Sequence, residues 1–243
     1  MIILSVGMPR AGSGWYYNLT NDLAVAAGYQ DGRLIRQRYH LQSILTEVNC
    51  NIGALTSRRL LAVLLPSLMG NTFVIKAHAA PTPFALHLIG MGWMRTAYIY
   101  RDPRDALLSA YENGQRAREK GRENAFSHLV DFETALQFVQ EYVRISEAWI
   151  ACEQALHTRY ESLLEEYETE AGQLAGFLEL DIQQPEIRQT LDKYRPQDAQ
   201  PDQKGLHFSK GKIGRFRQKL SEEQQVVLAH AFEPYLEKMG YAI

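Results

Sequence analysis

Apolar and β-branched residues collect in four short runs along the chain, and helical spacing follows each run. Ile2-Ile3-Leu4-Ser5-Val6 reads as a buried strand over 2–7, and the pattern turns helical from about Ser13 to Ala27. Thr72 to Lys76 and Thr96 to Tyr100 predict a second and a third strand, the third stopped by Asp102-Pro103. His157 to Tyr160 closes a fourth. Between them, helices are expected over 54–68, from Pro81 and Pro83 through Leu88, and over 104–120, with Pro103 suited to a first helical turn. Residues 127–152 carry a long helical pattern whose apolar face includes Phe132, Leu136, Val139, Val143 and Trp149. Residues 161–180 and 185–194 also read as helical, and Ser221-Glu-Glu-Gln resembles a capping box that opens a last helix. Residues 33–53 have only some helical periodicity, and 195–205 form a polar, proline-bearing loop or lid. Strands alternating with helices predict an α/β fold: a mainly parallel β-sheet flanked by helices, one domain over 1–243. In such sheets ligands sit at the carboxyl ends of the strands.

Composition narrows the function. With 46% hydrophobic and 22% charged residues, the 243-residue chain is ordinary for a globular protein. A formal net charge of −2 argues against general nucleic-acid binding, so any positive charge that matters is local. Cys50 and Cys152 lie far apart with no CxxC pair, which points to reduced thiols and to neither a zinc site nor a disulfide framework. The leading apolar run is short for a signal peptide and lacks a basic leader, and no stretch reaches the ~18 apolar residues of a membrane span. A soluble cytoplasmic protein is the expectation.

Four segments carry candidate chemistry. The first strand runs into Gly7-Met-Pro-Arg-Ala-Gly-Ser-Gly-Trp15. A strand, a glycine-bearing turn and a helix N-terminus converge free N–H groups on an anion. Gly7 and Gly12 have the spacing of an ATP-type phosphate loop, but Ser13-Gly14 stands where Lys-Ser/Thr would be, and the charge is Arg10 instead. The same pattern also suits a tight turn with no ligand. In the second segment Lys76 and His78 stand at i and i+2 past a strand end and point to one side. That arrangement suits a histidine base beside a charge-neutralising lysine, and equally a surface loop. In the third, Arg101 ends a strand with Ser109 eight residues on, and Arg104 and Asp105 suit an exposed pair on the first helical turn. In the fourth, Lys210, Lys212, Arg215, Arg217 and Lys219 fall within ten positions, interleaved with Gly211 and Gly214.

The ordered set resembles the sulfotransferases that use 3′-phosphoadenosine 5′-phosphosulfate (PAPS). Pro9-Arg10-Ala11-Gly12-Ser13-Gly14-Trp15 is similar to that family's 5′-phosphosulfate loop, and Lys76-Ala77-His78 to its Lys-Thr-His segment with the catalytic base. Arg101-Asp-Pro-Arg-Asp-Ala-Leu-Leu-Ser109 reproduces its Arg-x-Pro-x-Asp-x-x-x-Ser segment, whose arginine and serine bind the 3′-phosphate. Tyr160-Glu-Ser-Leu163 echoes an element near the adenine, and Ser209-Lys210-Gly211-Lys212-Ile213-Gly214 resembles the closing Arg-Lys-Gly-x-x-Gly segment. The resemblance runs from about residue 2 to residue 216. It departs at Arg10 for the usual lysine, at Ala11 and Gly14 where hydroxyls are lost, and at Ser209 for an arginine.

The resemblance implies the P-loop-like sulfotransferase fold and sulfuryl transfer to an acceptor hydroxyl or amine. It implies PAPS as co-substrate, no metal, His78 as general base, and Lys76 and Arg10 as charge stabilisers. Trp15 suits either the adenine or the core behind the loop. The nucleotide contacts implied are Arg10, Ala11, Gly12, Ser13, Gly14, Trp15, Arg101, Ser109, Tyr160, Ser209, Lys210, Gly211 and Lys212. A P-loop kinase and a non-catalytic nucleotide-binding module of the same fold are the alternatives. The acceptor class and the oligomeric state are open, and segments 33–53 and 195–205 are expected to shape the acceptor pocket.

Overall fold

Strands β1 (Ile2–Gly7), β2 (Phe73–Ala77), β3 (Met94–Tyr100) and β4 (Leu156–Arg159) pair in parallel in the order β2-β1-β3-β4. The chain is seen in a computed structural model that describes residues 1–196 and 211–243. All six residues of β1 are buried, which an all-parallel sheet covered on both faces requires of its inner strands. The helices are α1 (Ser13–Ala26), α2 (Gly32–Arg38), α3 (Ser57–Leu68), α4 (Pro83–Gly90), α5 (Pro103–Glu119), α6 (Phe132–Ile150), α7 (Tyr160–Glu165), α8 (Tyr167–Phe177), α9 (Pro185–Lys193), α10 (Phe216–Lys219) and α11 (Glu222–Lys238).

Two apolar clusters hold the layers together. The larger joins the sheet to α1 through Ile2, Leu4, Phe73, Ile99, Tyr16, Leu19 and Leu23. The smaller packs α5, α6 and α11 through Ala106, Leu107, Leu136, Val139, Leu228 and Phe232. Each fully buried aliphatic or aromatic side chain contributes roughly 1.5–3 kcal/mol. Two buried tyrosine hydroxyls are matched: Tyr16 meets Thr158 Oγ1 at 2.8 Å, and Tyr98 meets Ser146 Oγ at 2.5 Å.

The structure moves several expected boundaries. The helix expected over 54–68 begins at Ser57, where Thr56 Oγ1 accepts from Arg59 N. The long pattern over 127–152 becomes helical only at Phe132, because Asp131 and Thr134 close a capping box there. The stretch 161–180 divides at Glu166, whose φ of −122° and ψ of 44° leave the helical region. That break turns Tyr167 inward, where it stacks on Trp15 and its hydroxyl donates to Leu191 O. Within 33–53 only α2 is helical. The rest is tied down by Arg36 Nε donating to Leu45 O and by the single bridge of Asn51 to Lys76. The capping box at Ser221 and Gln224 is present as the sequence indicates. No helix among the described residues is long and apolar enough to cross a membrane.

Candidate active site

All four strands deliver residues to one cavity of about 430 Å³ beyond the carboxyl edge of the sheet. β1 runs into the loop that supplies Pro9, Arg10 and Gly12. β2 supplies Lys76 and, just past its end, His78. β3 is followed by Arg101 and β4 by Tyr160. Ser13, Gly14, Trp15, Ser109, Gly211 and Lys212 also line it, so the four sequence segments converge. Ser209 and Lys210 lie outside the described residues, as does 197–205 of the expected loop or lid.

The first loop is shaped by backbone constraints. Gly7 ends β1 so close to β3 that a Cβ there would stand 2.6 Å from Ile99 Cγ2. Arg10 and Gly12 both have left-handed backbones, with φ of 68° and 77°. For Arg10 that conformation costs roughly 1–2 kcal/mol. Gly12 is doubly constrained, because a Cβ would meet Tyr160 Cδ2 at 2.5 Å. Gly12→Ala is therefore expected to destabilise the protein by about 2 kcal/mol, lowering Tm by roughly 4–8 °C. An unchanged melting curve would show that the loop is not held in this shape.

Gly12 caps α1 with no side-chain hydrogen bond, and the first turn contains no acidic residue. The first intrahelical bond runs from Tyr16 N to Gly12 O, so the amides of Ser13 and Gly14 precede the ladder and face the positive end of the helix dipole. Ala11 does not share this role. Its side chain is fully buried in the α5–α6–α11 cluster, its N–H donates to Met8 O, and it is not among the residues that line the cavity. Trp15 lines the cavity and also packs into the core behind the loop. Its indole is buried, stacks on Tyr167, meets Tyr160 edge-on and donates from Nε1 to Tyr194 O.

Arg101 connects the segments. It is 7% exposed. Its guanidinium donates to Arg10 O at 3.1 Å and to Lys212 O at 3.0 Å, and its Cζ lies 4.4 Å from the Tyr160 ring centroid. Asp105, one helical turn on, accepts from Arg101 and from the amides of Gly214 and Phe216. It thereby fastens the basic fourth segment to α5. The expectation of an exposed Arg104–Asp105 pair is wrong on both counts, because both residues are buried and they turn to different partners. Arg104 forms an ion pair with Asp102 at 2.8 Å, donates to Ala242 O and stacks over Phe216. Arg101 Nε is buried with no hydrogen-bond partner among the described residues. Ser109 Oγ accepts from Arg10 Nε at 3.1 Å.

Electrostatics single out Lys76, His78 and Arg10. Lys76 is 4% exposed, and burial together with the Arg10 charge pulls its pKa down to about 8. Arg10 is lowered by burial and by Arg116 and Arg101. His78 is lowered to about 4 by burial and by Lys76. Its Nδ1 lies 2.6 Å from Gly7 O. A carbonyl oxygen can only accept, so Nδ1 carries the hydrogen and Nε2 keeps its lone pair. The site thus crowds like charges around a neutral histidine, an arrangement that an anion relieves.

Several lining residues were not singled out from the sequence: Asn49, Asn51, Glu112, Phe126, Phe138 and Tyr142. Phe138 and Tyr142 stand four apart on α6, outside its core-facing stripe, and their rings lie 4.9 Å apart. That i, i+4 aromatic pair was a readable signal. Glu112 is held by Arg215 at 2.5 Å, a link across 103 residues with no sequence trace. Asn49 and Asn51 do place part of segment 33–53 on the cavity wall.

No curated protein sequence matches the chain. Among solved structures, it is similar to retinol dehydratase in complex with androsterone and PAP, with TM-score 0.59 and 18% identity over 97% of this chain and 80% of that one. It is also similar to mouse sulfotransferase SULT7A1 complexed with PAP, at TM-score 0.59 and 12% identity over 97% and 84% of the two chains. An Arabidopsis thaliana putative steroid sulphotransferase aligns over 100% of this chain and 78% of its own, at TM-score 0.50 and 18% identity. These likenesses establish the shared fold. The sulfotransferase domain family itself matches residues 2–240. By that match over nearly its whole length, the chain belongs to the sulfotransferase domain family.

Proposed function

We propose that the protein transfers a sulfuryl group from PAPS to an acceptor hydroxyl or amine, with His78 as the general base. The observation that carries this reading is the cavity in which Arg10, Lys76 and Arg101 converge on an uncapped helix N-terminus beside a neutral histidine. The residues suit a nucleotide with two anionic ends. One end fits the amides of Ser13 and Gly14 with Arg10 and Lys76. The other fits the guanidinium of Arg101, whose buried Nε has no partner among the described residues, and Ser109, Gly211 and Lys212. PAP bound in retinol dehydratase and in the mouse sulfotransferase supports the same ligand here.

PAPS supplies the sulfuryl group: its bond to the bridging phosphate oxygen breaks as the acceptor atom bonds to sulfur. Negative charge grows on the leaving oxygen, where Lys76 and Arg10 stabilise it electrostatically. His78 Nε2 takes the acceptor proton, and Gly7 O steadies the resulting imidazolium through Nδ1–H. The buried free thiols Cys50 and Cys152 fit a reducing cytoplasm.

Calorimetry distinguishes this reading from a kinase of related fold. We expect 3′,5′-adenosine bisphosphate to bind without a divalent cation, and ATP with magnesium to bind far more weakly. Preference for ATP–magnesium would overturn the assignment. Bisphosphate binding with no transfer of labelled sulfate to any acceptor in a broad screen would instead favour a non-catalytic nucleotide-binding module.

A further inference from the structure

The outer side of the α3–α4 layer combines exposed apolar side chains with helices that carry no carboxylate. Helix α3 buries Leu60, Val63 and Leu64 against the protein, yet Leu61, Leu65 and Leu68 stand at i, i+4 and i+7 on its opposite face, each more than half exposed. Met69 continues that stripe at 64% exposure. Helix α4, which packs on α3, leads into exposed Met91 and Trp93. A helix that is apolar on both sides is ordinarily covered on both.

Charge identifies what covers this one. Helices α2, α3 and α4 contain five arginines and no carboxylate, and none occurs between Glu47 and Asp102. Asp31 caps α2 and pairs with Arg33, and Arg36 and Arg59 donate to Leu45 O and Ile52 O, so the outward charges are Arg38 and Arg58. The chain as a whole has a formal charge of −2, so its carboxylates lie elsewhere. Arg58 and Arg38 are both exposed, one at the start of α3 and the other near its end. Asn71, two residues beyond Met69, donates to Tyr39 Oη at 2.9 Å, and Arg38 stacks over that same ring at 5.9 Å. Leucine, methionine and tryptophan rimmed by arginine suit the boundary of an anionic bilayer, where apolar groups enter the acyl region and cations meet the headgroups. A second copy of the chain fits poorly. A two-fold contact would set the patch against itself, arginine against arginine, with no acidic partner.

We propose that the α3–α4 face docks the protein peripherally on an anionic lipid surface. The docking rests on this face alone and is independent of the transfer reading. It is tested by cosedimentation of the full chain with phosphatidylcholine vesicles, with and without phosphatidylglycerol. Binding is expected only with phosphatidylglycerol and is expected to fall as salt screens the arginines. Leu65→Ser with Trp93→Ser, and separately Arg58→Glu, are expected to weaken partitioning by about tenfold, while melting temperature and bisphosphate binding stay unchanged. No sedimentation of the wild type with anionic vesicles at low salt overturns the proposal. So does a dimer in analytical ultracentrifugation that Leu65→Ser dissociates, because the face would then be a subunit interface. Retention on vesicles by all three substitutions would show that another surface binds them.

Discussion

Replacing His78 with alanine is expected to lower turnover by about 10²–10⁴-fold and to leave affinity for 3′,5′-adenosine bisphosphate nearly unchanged. The separation follows from geometry, because the imidazole is tied through Nδ1 to Gly7 O while the cationic groups that would hold the nucleotide are other side chains. A variant that transfers sulfate at the wild-type rate would remove His78 from the mechanism. The pH dependence sharpens the test. His78 has a lowered pKa of about 4, so it is neutral and base-competent above that value and loses the role as pH falls through it. Lys76, lowered to about 8, loses its charge as pH rises through that value. The kcat/KM for the nucleotide should therefore be bell-shaped, with limbs near these two values in the free enzyme. A bound anion neutralises the repulsion among Arg10, Lys76 and His78. Both limbs of kcat should therefore lie at higher pH than those of kcat/KM. Coincident profiles would mean that the cationic cluster does not face the nucleotide.

Arg101→Ala is the second large effect. We expect it to weaken binding of the 3′,5′-bisphosphate by on the order of a hundredfold, since the loss of one buried, hydrogen-bonded charge partner costs about 2–5 kcal/mol. Binding of adenosine 5′-phosphosulfate, which lacks the 3′-phosphate, should change far less. Equal losses for both would refute the 3′-phosphate assignment. The fold should survive, because Asp105 keeps the amides of Gly214 and Phe216 when Arg101 is gone. Lys212 does lose the bond to its carbonyl, so part of the loss would reflect loosening of the segment from 211 onward. A double-mutant cycle with Ser109→Ala separates the two contributions.

The strand–loop–helix unit at the N-terminus was legible because its signals are local: a β-branched run, glycines at a turn and an abrupt change of period. The same holds for the strand ends that deliver Lys76, His78 and Arg101, and for the capping box at Ser221. Local pattern therefore specified the α/β sheet, and the order of the motifs pointed to the family. The features that went unread depend on contacts between distant segments. Burial of Arg104 and Asp105 cannot be read from an Asp-Pro-Arg-Asp sequence that would suit any exposed helix start. It follows from Phe216, Ala242 and the amides of Gly214 and Phe216 closing over them. The packing of Trp15 on Tyr167 and its hydrogen bond to Tyr194 O join residues more than 150 positions apart, which local pattern does not show. The break at Glu166 that brings Tyr167 inward has no propensity signal of its own.

Arg10 shows the division most clearly. The sequence placed a cation in an anion-binding loop. Only the tertiary structure could bring Lys76, Arg101 and Arg116 around it and give it Ser109 as a partner. Sequence determined which charges this protein carries and on which strand ends they sit. Packing decided how much water and how much like charge surround each of them, because solvation and Coulomb energy depend on distances through space that spacing along the chain does not set.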